Sequence, residues 1–113
     1  MTERSIDGIE AVGIIEAKGF VPIFEAVDAM VKASEVDITG VVKLDGHIVS
    51  CILTGELAAV RVAIDVGEEA ARAVSKEGVA SVVFASPSDP IRALATNPYG
   101  LLEGNGGNSG KAR

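Results

Sequence analysis

Two runs of β-branched and apolar residues, Ile38 to Leu44 and Ile48 to Leu53, are separated only by Asp45-Gly46-His47. Asp-Gly between strand-like runs is a strong hairpin signal, because both residues tolerate the positive φ of a tight turn. The middle of the chain is thereby fixed as an antiparallel pair, and everything else must be arranged around it. On each side of this pair lies one segment of helical period, and beyond each helix one more strand-like run.

Upstream, Ile9 to Ala17 reads as a strand with Gly13 inside it, ended by Lys18-Gly19. Pro22 follows where the first turn of a helix tolerates it. From Phe20 to Ser34, the spacing of Phe20, Phe24, Val27 and Val31 predicts the apolar face of an amphipathic helix. Glu25, Asp28, Lys32 and Glu35 form the polar stripe, with Asp28 and Lys32 as an i,i+4 pair.

Downstream, Gly55 opens a helix predicted to run to about Glu77. Leu57, Val60, Ile64, Gly67, Ala71 and Val74 form its expected buried face, and Arg61, Asp65, Glu68, Arg72 and Lys76 its polar one. Gly67 costs about 1 kcal/mol of helix propensity against Ala, which points to close packing there. Gly78 is the expected C-terminal cap. A last strand spans Val79 to Ala85. Ser88 or Asp89 then caps a short helix, with Pro90 in its first turn and Ile91 and Leu94 facing inward.

The order is β-α-β-β-α-β plus a short C-terminal helix. This is an α/β (α+β) chain of ferredoxin-like, split-βαβ type, with helices against one side of a mainly antiparallel sheet. Residues 1–8 are expected to be an N-terminal arm, 9–96 the domain, and 97–113 a flexible Gly/Asn-rich tail. Such a fold licenses no function by itself.

At 113 residues the chain has one domain's worth of core. Its apolar content is mainly Ala, Val and Ile, with three Phe, one Tyr and no Trp, which suits tight sheet–helix layers better than a roomy ligand cavity. A formal charge of −6 argues against a nucleic-acid partner and against anionic membrane surfaces. No apolar run approaches a membrane span, and Met1-Thr2-Glu3-Arg4-Ser5 has no signal-peptide character. A single cysteine, Cys51, rules out an internal disulfide and reads as a buried thiol in a cytosolic protein.

Groups able to converge for catalysis are scarce. His47 is the only histidine. A nucleophile pair with Cys51, four residues on in the same strand, is the one arrangement available, and a turn residue beside a buried thiol is the simpler account. One His and one Cys do not make a zinc site. No catalytic residue, metal site or cofactor is expected. Gly110-Lys111, at the end of a Gly-rich run, fails the phosphate-loop pattern: Asn105 stands at the first glycine position, Ala112 follows the lysine, and no strand or helix frames it.

Several segments together resemble the bacterial microcompartment (BMC) shell domain of the single-domain, hexamer-forming type. Ala11-Val12-Gly13-Ile14-Ile15-Glu16-Ala17-Lys18-Gly19 is similar to that family's opening strand and turn. Glu25-Ala26-Val27-Asp28-Ala29-Met30-Val31-Lys32-Ala33 resembles its first helix. Lys43, a short Gly-containing turn and Ile48-Val49 resemble its pore-loop segment. Gly55-Glu56-Leu57-Ala58-Ala59-Val60 and Asp65-Val66-Gly67 resemble its second helix. The likeness covers roughly residues 10 to 95, without strand permutation or domain doubling.

The resemblance implies a homohexameric tile of a microcompartment shell in the cytoplasm. Such a tile meets other shell proteins edge to edge and has encapsulated enzymes on its inner face. It also implies that Asp45, Gly46 and His47 line a pore on the six-fold axis, through which small polar metabolites pass, and that Lys32 lies at the hexamer edge. Two departures stand out. The tip is usually richer in Gly and Ser, and the arginine usually found after the last strand is missing from Ser86-Pro87-Ser88-Asp89, with Arg92 no more than a candidate substitute. A sensor resembling the PII signalling fold would need a long loop where this chain has a tight hairpin. An enzyme would need a subunit-interface site built on His47 and Cys51.

Overall fold

The computed structural model of the protein describes residues 9–99. Strand β1 (Ala11–Lys18) leads into helix α1 (Phe20–Ala33), then come β2 (Asp37–Lys43) and β3 (Ile48–Gly55). Helix α2 (Leu57–Val74), strand β4 (Ala80–Ala85) and helix α3 (Asp89–Thr96) complete the chain. The strand order is β2-β3-β1-β4 and all three pairings are antiparallel, which is the ferredoxin-like arrangement expected from the order of elements. The expected N-terminal arm and most of the expected tail lie outside the described residues.

Register divides the strand residues cleanly between two faces. Ile15 pairs with Cys51 and Ala17 with Val49, and these side chains are fully buried under α1 and α2 with Ile23, Ala26, Met30, Val60 and Ala71. Val12 and Ile52 point the other way, into a smaller cluster with Ile9 and Ala95, against which Ile91 and Leu94 pack. Helix α3 therefore covers part of the second face, so the helices are not all on one side.

The two main helices pack closely. A β-carbon on Gly67 would stand 2.7 Å from the Sδ of Met30, which fixes the distance between α1 and α2 at that point. This is the close approach that a glycine inside a helix predicts.

Three expectations need correction. The inward face of α1 is Pro22, Ile23, Ala26 and Met30, not the stripe of Phe20, Phe24, Val27 and Val31. Only Val27 of that stripe is even partly buried in the core; the other three are exposed. Both sets recur at helical spacing, so periodicity could not choose between them, and the close contact at Gly67 favours the set with smaller side chains. Helix α2 ends at Val74, with Ser75 extended at its C-cap and the Ser75 hydroxyl donating to the Glu77 carbonyl (3.1 Å). Val74 is exposed rather than buried, and Gly78 (φ 81°) serves the turn into β4 instead of capping the helix. Finally, Pro98 is buried over Gly40 of β2, so packed chain continues past residue 96.

Candidate functional site

The β2–β3 connection is short and tightly held. The Leu44 N–H donates to the Ile48 carbonyl (2.6 Å), closing the hairpin, and Asp45, Gly46 and His47 stand exposed at its tip. Gly46 has φ 76° and His47 has φ 66°. Two successive left-handed residues turn the chain sharply, at little cost for glycine and at about 1–2 kcal/mol for a residue with a β-carbon.

A bond from outside the hairpin holds that conformation. The Gly19 N–H, between β1 and α1, donates to the His47 carbonyl (2.9 Å). Sequence reasoning saw Lys18-Gly19 only as the end of a strand. Gly19 in fact ties the tip to the start of α1, and its own φ of 86° aims the N–H there.

Charge is arranged in a graded way around the tip. Asp45 is at the tip itself. Lys43 ends β2 opposite Val49, and Lys18 ends β1 opposite Ile48, so the two lysines are set back from the tip and belong to opposite faces of the sheet. Lys32 is far from this group, in the last turn of α1, with its side chain 72% exposed and its Nζ 3.0 Å from Asp28 Oδ2. Because α1 starts beside the tip and runs 14 residues, it spans about 20 Å and carries Lys32 that far from its tip end.

His47 and Cys51 are not brought together. Cys51 is fully buried beneath the helices, where loss of hydration pushes its thiol up to about 12, while the left-handed conformation takes His47 out of the strand alternation. Among the described residues, no three His, Cys, Asp or Glu side chains gather where they could hold a metal ion. No helix there is long and apolar enough to cross a membrane. Arg92, the candidate replacement for the missing arginine, donates to the Ile9 carbonyl (3.2 Å) and lies 3.4 Å from Asp89, so it is engaged within its own chain.

Comparison with known proteins gives this geometry a context. The BMC domain family model matches residues 11–87. The chain is 39% identical over 94 residues to bacterial microcompartment shell protein PduA of Salmonella typhimurium, an alignment covering 83% of this chain and 97% of that protein. It is 40% identical over 68 residues to bacterial microcompartment shell protein EutM of Escherichia coli K12, covering 60% of this chain and 70% of that one. Carboxysome shell protein CsoS1 of Prochlorococcus marinus is 40% identical over 87 residues, with 77% and 84% covered. Among solved structures, a microcompartment protein from Desulfitobacterium hafniense shares the fold, with a TM-score of 0.62 at 20% identity. That match covers 79% of this chain, which spans about half of the solved one (48%).

Proposed function

Because the chain belongs to the BMC domain family, we infer that it is a structural shell protein of a bacterial microcompartment, a homohexameric tile rather than an enzyme. In this reading six hairpin tips meet on the six-fold axis. Asp45, Gly46 and His47 line a pore for small polar metabolites, and Lys32 lies on the perimeter, where tiles meet one another and other shell proteins. The tiles enclose enzymes within the cytoplasm.

The observation that carries this reading is the placement of tip and lysine at the two ends of one helix. A tile needs a centre and an edge, and α1 separates the candidate residues for each by about 20 Å. The exposed apolar residues along α1 supply the further requirement, a surface to bury between copies. Light scattering tests the reading. A particle of six times the 11.5 kDa chain is expected at micromolar concentration, with no monomer. A stable monomer or trimer overturns it.

A further inference from the structure

Helix α1 begins in a way that serves the hairpin tip better than it serves the helix. Its N-cap residue, Gly19, makes no side-chain hydrogen bond to the first turn, and that turn holds no acidic residue. Serine, threonine, aspartate or asparagine at this position would satisfy one of the free N–H groups. The ψ of Gly19, 165°, is the extended value usual at a helix start; only its φ, 86°, calls for glycine. Crowding is not the reason, since a β-carbon on Gly19 would meet nothing within 4 Å.

The positive φ has one visible product. It lets α1 leave towards the core, where Ile23, Ala26 and Met30 are buried, while the Lys18–Gly19 peptide plane keeps facing the hairpin. The N–H in that plane donates to the His47 carbonyl (2.9 Å), one pair beyond Lys18 and Ile48 at the end of the β1–β3 ladder. His47 carries a β-carbon at φ 66°, a conformation that persists only where its surroundings impose it. Packing does not impose it, because Asp45, Gly46 and His47 are exposed and a β-carbon on Gly46 would also meet nothing within 4 Å. Backbone hydrogen bonds do. The bond from Leu44 to Ile48 closes the hairpin, and the bond from Gly19 to His47 reaches inside the tip.

We propose that Gly19 is a positioning residue for the pore: its N–H holds His47 left-handed and so sets where six imidazoles point. The proposal rests on the shell reading, which puts the tip on the axis. Without the bond His47 returns to negative φ, its ring takes another bearing, and the aperture changes. Because α1 is pinned into the core directly after Gly19, every tip in the ring is held in the same conformation.

The test is Gly19→Ala made twice, once with L-alanine and once with D-alanine, by joining synthetic residues 1–50 to 51–113 at Cys51. D-Alanine adopts φ 86° without strain and keeps the bond, whereas L-alanine must leave that region and lose it. Sealed shells of the L-alanine protein are expected to lose several-fold in discrimination between small and larger neutral solutes, and those of the D-alanine protein to match the wild type. Equal discrimination in all three overturns the proposal, and so does a D-alanine protein that behaves as the L-alanine one. An L-alanine protein that does not fold, beside a folded D-alanine one, means that the φ serves the fold and also overturns it. A double-mutant cycle reads the coupling without shells. His47→Gly relieves strain only where the bond imposes it, so its shift of the urea midpoint is expected to be more favourable with glycine or D-alanine at position 19 than with L-alanine. The same shift in all three backgrounds overturns the proposal. In the wild type the Gly19 amide is expected to exchange its hydrogen several-fold more slowly than an unbonded amide, and free exchange removes the bond on which the proposal stands. A wild type that forms no hexamer overturns the shell reading and the pore role with it, while the cycle still reports the bond from Gly19 to His47.

Discussion

At the scale of single residues, burial decides what chemistry a side chain has left. Cys51 has no exposed surface, and its thiol is pushed up to about 12 because a thiolate there would lose its hydration with nothing to replace it. In the folded protein an alkylating reagent at pH 8 is expected to leave Cys51 unmodified, and in guanidinium to modify it fully; stoichiometric labelling of the native protein contradicts the burial. The pH dependence has a defined sign. Above about pH 9 the unfolded chain releases this proton while the native chain keeps it, so the thiol's contribution to stability is complete below that pH and is lost as pH rises towards 12. Denaturant midpoints measured between pH 8 and 10.5 should fall, and Cys51→Ala should flatten the fall. The buried thiol was legible in the sequence from one cysteine in a β-branched run. The left-handed His47 was not, because its conformation depends on the bond from Gly19, 28 positions away in the chain.

At the scale of elements, the strands and their order could be read directly, because β-branched runs and Gly-containing turns are local signals. The orientation of α1 could not. Its helical spacing fits both the Ile23, Ala26, Met30 set and the Phe20, Phe24, Val31 set, and a chain that forms oligomers has reason to carry two apolar faces. Gly67 marks the true one. Gly67→Ala gains about 1 kcal/mol of helix propensity, but its β-carbon would stand 2.7 Å from Met30 Sδ, and Met30 is fully buried with little room to retreat. Overpacking of that kind costs about 1–3 kcal/mol, so a lower melting temperature is expected. A rise would mean that propensity wins and the helices can part. Lys32 is the contrasting case on the same helix. Its ion pair with Asp28 is exposed on both sides and contributes at most about 0.5 kcal/mol, so Lys32→Ala should melt as the wild type does. Its predicted effect is on assembly alone, with hexamers intact by light scattering and extended sheets absent by electron microscopy. Sheets as abundant as those of the wild type would remove Lys32 from the edge.

At the scale of the whole assembly, symmetry multiplies whatever the tip carries. Six Asp45 carboxylates would ring the narrowest point of the pore, with Lys43 and Lys18 set back from it. Like charges gathered within a few ångströms act on a passing ion at distances shorter than the Debye length, about 8 Å at physiological salt, so their field is not screened away in the constriction. The pore should therefore admit neutral and cationic polar solutes faster than anions of the same size. Asp45→Asn removes the ring of charge while keeping its size, and is expected to raise anion flux relative to cation flux several-fold. His47→Gly removes six imidazoles at a position whose φ of 66° glycine adopts without strain, so it should widen the mouth while the hairpin stays intact. It should raise the flux of all small solutes with less change in charge preference. The measurement is entry of matched charged and neutral solutes into sealed shells built with each variant. Equal flux and equal charge preference in all three would place the backbone alone at the constriction and take both side chains out of the mechanism. A shift in charge preference with Asp45→Asn and in overall rate with His47→Gly would assign selection to the carboxylate and aperture to the imidazole.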